Sequence, residues 1–434
     1  MKRRLLSFII LFVSLSSIGQ KVEKLTDDQL LDLVQKQTFS YFWDFAHPVS
    51  GLARERSNKT FGYGDEVTTT GGSGFGIMAI VVATERKWVS RADATDRMLK
   101  IVNFLAKADA YHGIFPHWLD GSTGKTIPFS RKDDGADLVE SSYLFMGLLT
   151  ARQYFNQDSP RERDLRNRIN WLWQEAEWSW HTRGSLDLLY WHWSPNNDWS
   201  MNFELRGWNE CLITYVLAAS SPRYPISASV YHKCWAESNH FKNNREYYGI
   251  KLPLGFDYGG PLFFSQYTFM GLDPRGLKDQ YADYWEQNKN HTLINYEHCI
   301  RNPKGFKGYG PNCWGLTASD NHEGYNAHSP DNDLGVISPT AALSAFPYTP
   351  EFSMKALKHF YYDLGGKIWG KYGFTDAFNE TKNWYAESYL AIDQGPIIVM
   401  IENYRSGLCW KLFMSVPEVQ SGLKTLGFTT TAKQ

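Results

Sequence analysis

The chain has 434 residues, with 45 Lys+Arg against 46 Asp+Glu and a formal net charge of −1. Without a basic stripe or an acidic tail, that balance excludes a polyanion or polycation as the expected partner and leaves a neutral one. The five cysteines are scattered, odd in number and without CxxC spacing, which excludes both a zinc site and a disulfide scaffold.

In chain order, Met-Lys-Arg-Arg is followed by LLSFIILFVSLSSIGQ, a basic start and an apolar run that falls short of the ~20 residues a membrane span needs. This pattern predicts a signal peptide over residues 1–20, with cleavage near Gly19 or Gln20. Residues 21–434 are then expected to form one exported domain, periplasmic or secreted, with no membrane span. DDQLLDLVQKQTFSYFWDFA (27–46) opens with acids and repeats apolar residues every three to four positions, so it reads as an amphipathic helix. FGIMAIVVATE (75–85) is apolar nearly all round, as a fully buried inner helix would be. SRADATDRMLKIVNFLAKAD (90–109) is amphipathic again, with Ser90 as N-cap. Further helices are expected over 137–155, 160–178, 206–220, 276–291, 338–345, 352–364 and 387–403, and a short strand over 124–129. Alternation of apolar and amphipathic helices predicts an all-α fold, a helical toroid with inner and outer layers and long loops gathered at one mouth.

The chain is 16% aromatic, with 17 Trp, 25 Tyr and 26 Phe. A core has trouble absorbing so many indole NH and phenol OH groups. Many of these rings lie in polar stretches such as WLWQEAEWSWHTRGSLDLLYWHWSPNNDW (171–199), and rings among Asn, Asp and His suit the faces and hydroxyls of sugars.

The densest chemistry is in SRKDDGADLVESSYLFMGLL (130–149). At 100° per residue Asp137, Glu140, Ser141, Leu144 and Leu148 share one helical face, and Asp133 joins them if the first turn begins early. The acids thus head the stripe that becomes apolar, whereas a solvated helix start would carry them on the opposite side. Asp134 with Asp137, or Ser130 with Asp133, also matches a capping box, so Asp134 reads equally as a cap. In ELRGWNECLITYVLAASS (204–220), Glu210 shares a face with Arg206, Ile213, Thr214 and Leu217, which leaves open a plain i,i+4 pair with Arg206. Two inward-aimed acids on separate inner helices are what glycoside hydrolysis requires: one protonates the leaving oxygen, the other activates water or attacks. NHEGYNAH (321–328) is not HExxH, and PDNDLG (330–335) lacks the closing Glu of a calcium loop. Asp257 in FDYGGPLFF, and Glu387 and Asp393 in YAESYLAIDQGP, read as rim positions or as ordinary caps.

Several long motifs in order, DDGADLVESSYLFMGLL, GWNECLITYVLAASSP, FDYGGPLFFSQYTFMGLDPRG, NPKGFKGYGPNCWGLTASDN and WYAESYLAIDQGPIIVMIENYRSGLCWKLFMS, resemble the glycoamylase-type domain. They are most similar to the secreted bacterial β-1,2-glucanases of glycoside hydrolase family 144, across roughly residues 25–420. A related domain occurs in cyclic β-1,2-glucan synthases. The resemblance implies an (α/α)6 barrel that cleaves linear β-1,2-glucan, with sophorooligosaccharides as substrate class, by anomer inversion and with neither metal nor cofactor. It carries the important acids over to Asp133, Asp137 and Glu210, with Asp134 and Glu140 in the same motif.

The resulting expectation is an endo-β-1,2-glucanase, with exo release of sophorose or non-catalytic glycan binding as the alternatives. Glu210 is the expected general acid, and Asp137 with Asp133 the group that positions or deprotonates water. Trp208, Tyr258, Trp314, Tyr325 and Trp384 are the candidate sugar platforms. Arg206 and Asn209 are candidate orienting groups, and Asp134, Glu140 and Asp257 candidate substrate contacts. The protein is expected to act as a monomer.

Overall fold

The computed structural model describes residues 24–57 and 64–430. The expected signal peptide, residues 1–20, lies outside the described residues. In chain order the helices are α1 (Asp27–Trp43), α2 (Thr70–Glu85), α3 (Arg91–Leu105), α4 (Leu138–Tyr154), α5 (Pro160–Glu175) and α6 (Leu212–Ser220). They continue with α7 (Ala228–Val230, extended by a π turn over Tyr231–Ala236), α8 (Tyr284–Arg301), α9 (Pro339–Leu343) and α10 (Pro350–Lys358). The last are α11 (Gly365–Ile368), α12 (Ala391–Arg405), α13 (Leu408–Met414) and α14 (Pro417–Thr425). None is long and apolar enough to cross a membrane.

Hydrophobic pattern sorts these helices into layers. Residues Thr70–Thr84 of α2 are all buried, as are Leu138–Arg152 of α4 and every residue of α6. Such helices can only be inner ones. On α3 the buried residues are Ala94, Thr95, Met98, Ile101, Val102 and Leu105, one stripe at three-to-four spacing, and Ser90 caps it by accepting the Asp93 N–H. That is an outer helix. The inner ring runs from α2 to α4, α6, the 3-10 turns of Leu262–Met270, α9 and α12, which returns to α2. Gln266 Nε2 donates to the Ala341 carbonyl at 2.8 Å and closes the ring between the 3-10 turns and α9. With α1, α3, α5, α7, α8 and α10 outside, the described residues form a layered toroid, as the alternation predicts, of the (α/α)6 type that the resemblance implies.

Where α2 crosses α4 the backbones nearly touch. A Cβ on Gly74 would lie 2.1 Å from the Tyr143 carbonyl oxygen, and one on Gly147 would lie 2.2 Å from the Gly74 oxygen. Any side chain at either position forces the two inner helices apart.

Short antiparallel ribbons fill the loops: β1 (Val67–Thr69), β2 (Trp118–Asp120) and β3 (Thr126–Ile127) form one sheet. In a second ribbon β4 (Ala136–Asp137) pairs with β5 (His192–Trp193), setting Asp137 opposite His192 and Ala136 opposite Trp193. The hairpins β6–β7 (Lys242–Tyr247, Ile250–Leu254) and β8–β9 (Ala318–Asn321, Gly324–Ala327) complete the mouth. All five cysteines are buried and free.

Some boundaries differ from expectation for local reasons. The helix expected over 206–220 begins only at Leu212, because Gly207 sits at φ +76 and Asn209 Oδ1 takes the Cys211 N–H in a turn. The helix expected over 276–291 starts at Tyr284 and runs to Arg301, since Asp283 caps it by accepting the Trp285 and Glu286 N–H groups. The strand expected over 124–129 shrinks to Thr126–Ile127.

Candidate active site

The chain segments that enter the inner helices converge on a cavity of about 320 Å³. Its wall includes the carboxylic side chains of Glu55, Glu140 and Glu210, the cationic or ionisable Arg56 and His117, and the rings of Trp118, Phe129, Tyr143, Trp191, Phe263, Tyr267 and Tyr325. Acids and aromatics thus share one surface.

Asp137 is the N-cap of α4, completely buried. Its Oδ1 accepts three N–H groups, from Val139 (3.1 Å), Glu140 (3.0 Å) and Trp191 Nε1 (2.7 Å). Its Oδ2 pairs with His117 Nδ1 at 3.0 Å and lies 3.8 Å from His192 Nε2. Burial opposes its charge, but the His117 hydrogen bond and charge outweigh burial and hold the carboxyl below its ordinary value. Burial likewise opposes a charge on His117, yet the carboxylates of Glu140, Asp137 and Asp133 push the imidazole up to about 9. At neutral pH this is an ion pair of fixed geometry.

The neighbouring acids have fewer donors. Asp133 lies in the loop before β4; its Oδ2 is 3.4 Å from His192 Nε2 and its buried Oδ1 has no partner. Burial and the Asp137 charge raise it to about 7. Glu140 Oε2 accepts the Gly71 N–H at 2.8 Å, and burial raises its carboxyl as well. Glu210 ends the turn before α6, anchored by its carbonyl, which accepts Thr268 Oγ1 at 2.6 Å. Burial, with Glu140 and Asp137 nearby, raises its carboxyl to about 7, so it keeps a proton near neutrality. Tyr143 presents a buried hydroxyl without a partner to the same cavity.

A second acidic group lies behind the part of the wall formed by Glu55 and Arg56. Arg56 bridges Glu55 (Nε to Oε2, 2.8 Å) and Asp320 (Nη1 to Oδ2, 3.0 Å). Asp376 Oδ2 accepts the Asp320 N–H at 2.6 Å, and Tyr267 OH reaches Asp393 at 3.4 Å. Burial raises Asp376 well above the carboxylate range and Asp393 to about 7, each also lifted by neighbouring acids.

The structure redistributes the other sequence candidates. Asp134 is not a helix cap, since Asp137 holds that position; Asp134 instead accepts from Ser194 Oγ and from Asn196 Nδ2 (2.8 Å), tying down the loop after β5. Arg206 is exposed and pairs with Glu204, not with Glu210, because the helix that would bring them together has not begun. Trp208 and Trp314 are fully buried: Trp208 packs among Trp235, Phe269 and Tyr284, and Trp314 lies edge-on to Tyr296, so neither offers a face to a sugar. Asn209 is a turn residue. Asp257 pairs with Arg245 (2.7 Å) and Tyr247 OH (2.6 Å), and Tyr258 lies tilted against Tyr247 at 4.4 Å, so the turn after β7 holds both against the β6–β7 hairpin and away from the cavity wall. Trp384 lines a separate shallow cavity with Asn321 and Glu387. Of the platforms only Tyr325, 48% exposed, stands in the main cavity.

Sequence reasoning missed His117, Trp191, His192, Tyr143 and Arg56. Trp191 and His192 lay in the aromatic stretch already singled out, but only strand pairing with Ala136–Asp137 brings them to the acids. The nearest ligand atoms of His117, Asp133 and Asp137 lie within 4.8 Å of one another, the group among the described residues suited to hold a metal ion. Of the three, His117 and Asp137 are already hydrogen-bonded to each other at 3.0 Å.

Fold and cavity together define an (α/α)6 toroid with buried acids of unlike protonation around a sugar-sized hollow. The Glycoamylase family model matches residues 202–417. The chain is 57% identical to the endo-β-1,2-glucanase of Chitinophaga pinensis, over 94% of this chain and 99% of that one, with a TM-score of 0.91. It is 48% identical over 423 residues to the exo β-1,2-glucooligosaccharide sophorohydrolase (non-reducing end) of Parabacteroides distasonis. That match takes in 93% of this chain but spans only 58% of the length of that curated relative. An endo-β-1,2-glucanase of Talaromyces funiculosus, 11% identical with a TM-score of 0.63 over 89% of this chain and 87% of its own, shares the fold. The chain belongs to the glycoamylase-like family that includes the Chitinophaga pinensis enzyme.

Proposed function

We propose that the chain is an inverting endo-β-1,2-glucanase, a member of glycoside hydrolase family 144, exported to the periplasm or beyond and acting as a single catalytic domain without a partner subunit. The observation that carries this reading is Glu210: a carboxyl held protonated to about 7 on the cavity wall, with the firmly ionised Asp137 buried behind that wall. The 57% identity to the Chitinophaga pinensis endo-β-1,2-glucanase, over 94% of this chain and 99% of that one, supports the substrate and the endo mode.

In this reading Glu210 gives its proton to the glycosidic oxygen as the C1–O bond breaks, and water attacks C1 from the opposite face. Asp133 takes the proton from water. Its carboxyl is raised to about 7 and has a free buried lone pair, so it is a stronger base than Asp137, whose oxygens are occupied by N–H donors. Asp137 is then a positioning residue that fixes His117 and Trp191. Glu140, Tyr143 and Tyr325 hold the sugar. Incubation with linear β-1,2-glucan tests this directly: new reducing ends as a ladder of sophorooligosaccharides support it, sophorose alone replaces endo by exo action, and no product removes the reading.

A further inference from the structure

The β4–β5 ribbon has two faces. Asp137 and His192 lie on one; Trp193, the next residue on β5, alternates to the other. There it joins an aromatic group outside the cavity. Trp193 meets His112 edge-on (5.5 Å) and Trp180 (6.4 Å), and Trp180 stacks on His112 at 3.8 Å with 15° between the rings. Trp199 lies 6.3 Å from Trp180. Between Trp180 and Trp199 a surface cleft of about 600 Å³ opens, also bordered by Glu177, Ser179, Arg183 and Gly184.

The construction of this cleft is that of a built site. Trp180 is 39% exposed although its ring is fixed from behind by His112, whose Nδ1 is tied to Glu177 at 2.9 Å. Arg183 lies over Trp199 (5.5 Å) and Tyr190 (4.7 Å), and its Nη1 donates to Asn202 Oδ1 at 3.0 Å. Two indoles are therefore held rigidly at a surface where burying them would be favourable, which marks a binding groove. One acid and one base flank them, so the rim selects for hydroxyls and not for net charge. None of these residues serves the cavity.

We propose that the Trp180–Trp199 cleft is a second, non-catalytic β-glucan-binding site, which holds one stretch of polymer while another stretch enters the cavity on the far side of the ribbon. The choice of a neutral glucan rests on the function proposed above and on the chain's near-zero charge. It gives a role to Trp180 and Trp199, two rings of the aromatic-rich stretch 171–199 that do not line the catalytic cavity.

The test compares wild type, Trp180→Ala, Trp180→Phe and Glu210→Gln. In gels containing polymeric β-1,2-glucan, wild type and Glu210→Gln are retarded, Trp180→Ala is released and Trp180→Phe stays partly retarded. KM for the polymer rises by about 3–10-fold in Trp180→Ala, the range expected of one aromatic stacking contact. kcat and KM on a short sophorooligosaccharide, and Tm, stay at wild-type values. Unchanged mobility and polymer KM in Trp180→Ala overturn the site, as does equal loss on short and long substrates. If wild type does not hydrolyse β-1,2-glucan, the catalytic reading fails. The cleft is then judged on retardation by β-1,2-, β-1,3- and β-1,4-glucan: Trp180-dependent retardation by any of them upholds it, and none overturns it.

Discussion

Two groups of acids back the same cavity, one behind His117 and one behind Arg56, and they handle charge in opposite ways. Behind His117, donors are distributed unequally: Asp137 receives three N–H groups and an imidazole, while Asp133 and Glu210 receive almost none. The result is one fixed anion beside carboxyls raised to about 7. Behind Arg56, the guanidinium pairs with Glu55 and Asp320, and the deeper Asp376 and Asp393, with no ion pair among the described residues, have raised values. The lesson is that donors per carboxylate, not the number of carboxylates, decide which acids are ready for proton transfer. The first group is sorted into anion and acids; in the second, Arg56 is paired with Glu55 and Asp320 while the deeper Asp376 and Asp393 are raised.

The sharpest way to break this comparison is kinetic. Glu210→Gln is expected to lower kcat by about 10²–10⁴-fold with KM little changed, since it removes a proton donor and not a sugar contact. Asp133→Asn should fall in the same range, whereas Asp376→Asn should stay within about tenfold of wild type. A deeper loss in Asp376→Asn or Asp393→Asn than in Asp133→Asn would move the base to the other wall.

Asp137→Ala should be visible in stability before activity is considered. It removes the α4 cap, worth about 0.5–2 kcal/mol, and strands the half-buried His117 cation, so the total loss is about 2–4 kcal/mol. Chemical denaturation measures it; a loss under about 1 kcal/mol would show that the ion pair is not the fixed element it is taken for.

The pH profile gives a further test. Glu210 must be protonated and is raised to about 7, so activity is lost as pH rises through that value. Asp133 must be ionised and is also raised to about 7, so activity is lost as pH falls through it. A narrow bell near neutrality follows, in place of the broad plateau two ordinary carboxyls would give.

The smallest effect concerns Glu210 and folding. Its proton is held to about 7 in the native state but leaves near 4.5 in the unfolded chain, so wild-type stability declines as pH rises from 4.5 to about 7 and stays lower above. Glu210→Gln escapes that penalty and should melt about 1–3 °C above wild type at pH 8, with little difference at pH 4.

The layering of the toroid was legible because inner helices such as α2 and α4 are apolar all round while α3 carries a single stripe. The inward aim of Asp137 and Glu140 followed from helical phase, even though Asp137 proved to be the cap and not the first turn. What phase cannot see is pairing across distance: His192 and Trp191 reach Asp137 through a two-residue ribbon more than fifty positions away. The misread rings share one cause. Trp208 and Trp314 sit among Gly, Asn and Cys, a setting that looks exposed in sequence, yet tertiary packing buries both completely. Asp134 matched a capping box, and a competing Asp three residues on took the cap.

The account stands or falls on the stereochemistry of hydrolysis. Followed by NMR in the first minutes of reaction on linear β-1,2-glucan, the new reducing ends should appear as the α anomer and only later mutarotate, with no signal from Glu210→Gln over the same time. First appearance of the β anomer, or wild-type rates in Glu210→Gln, would contradict it.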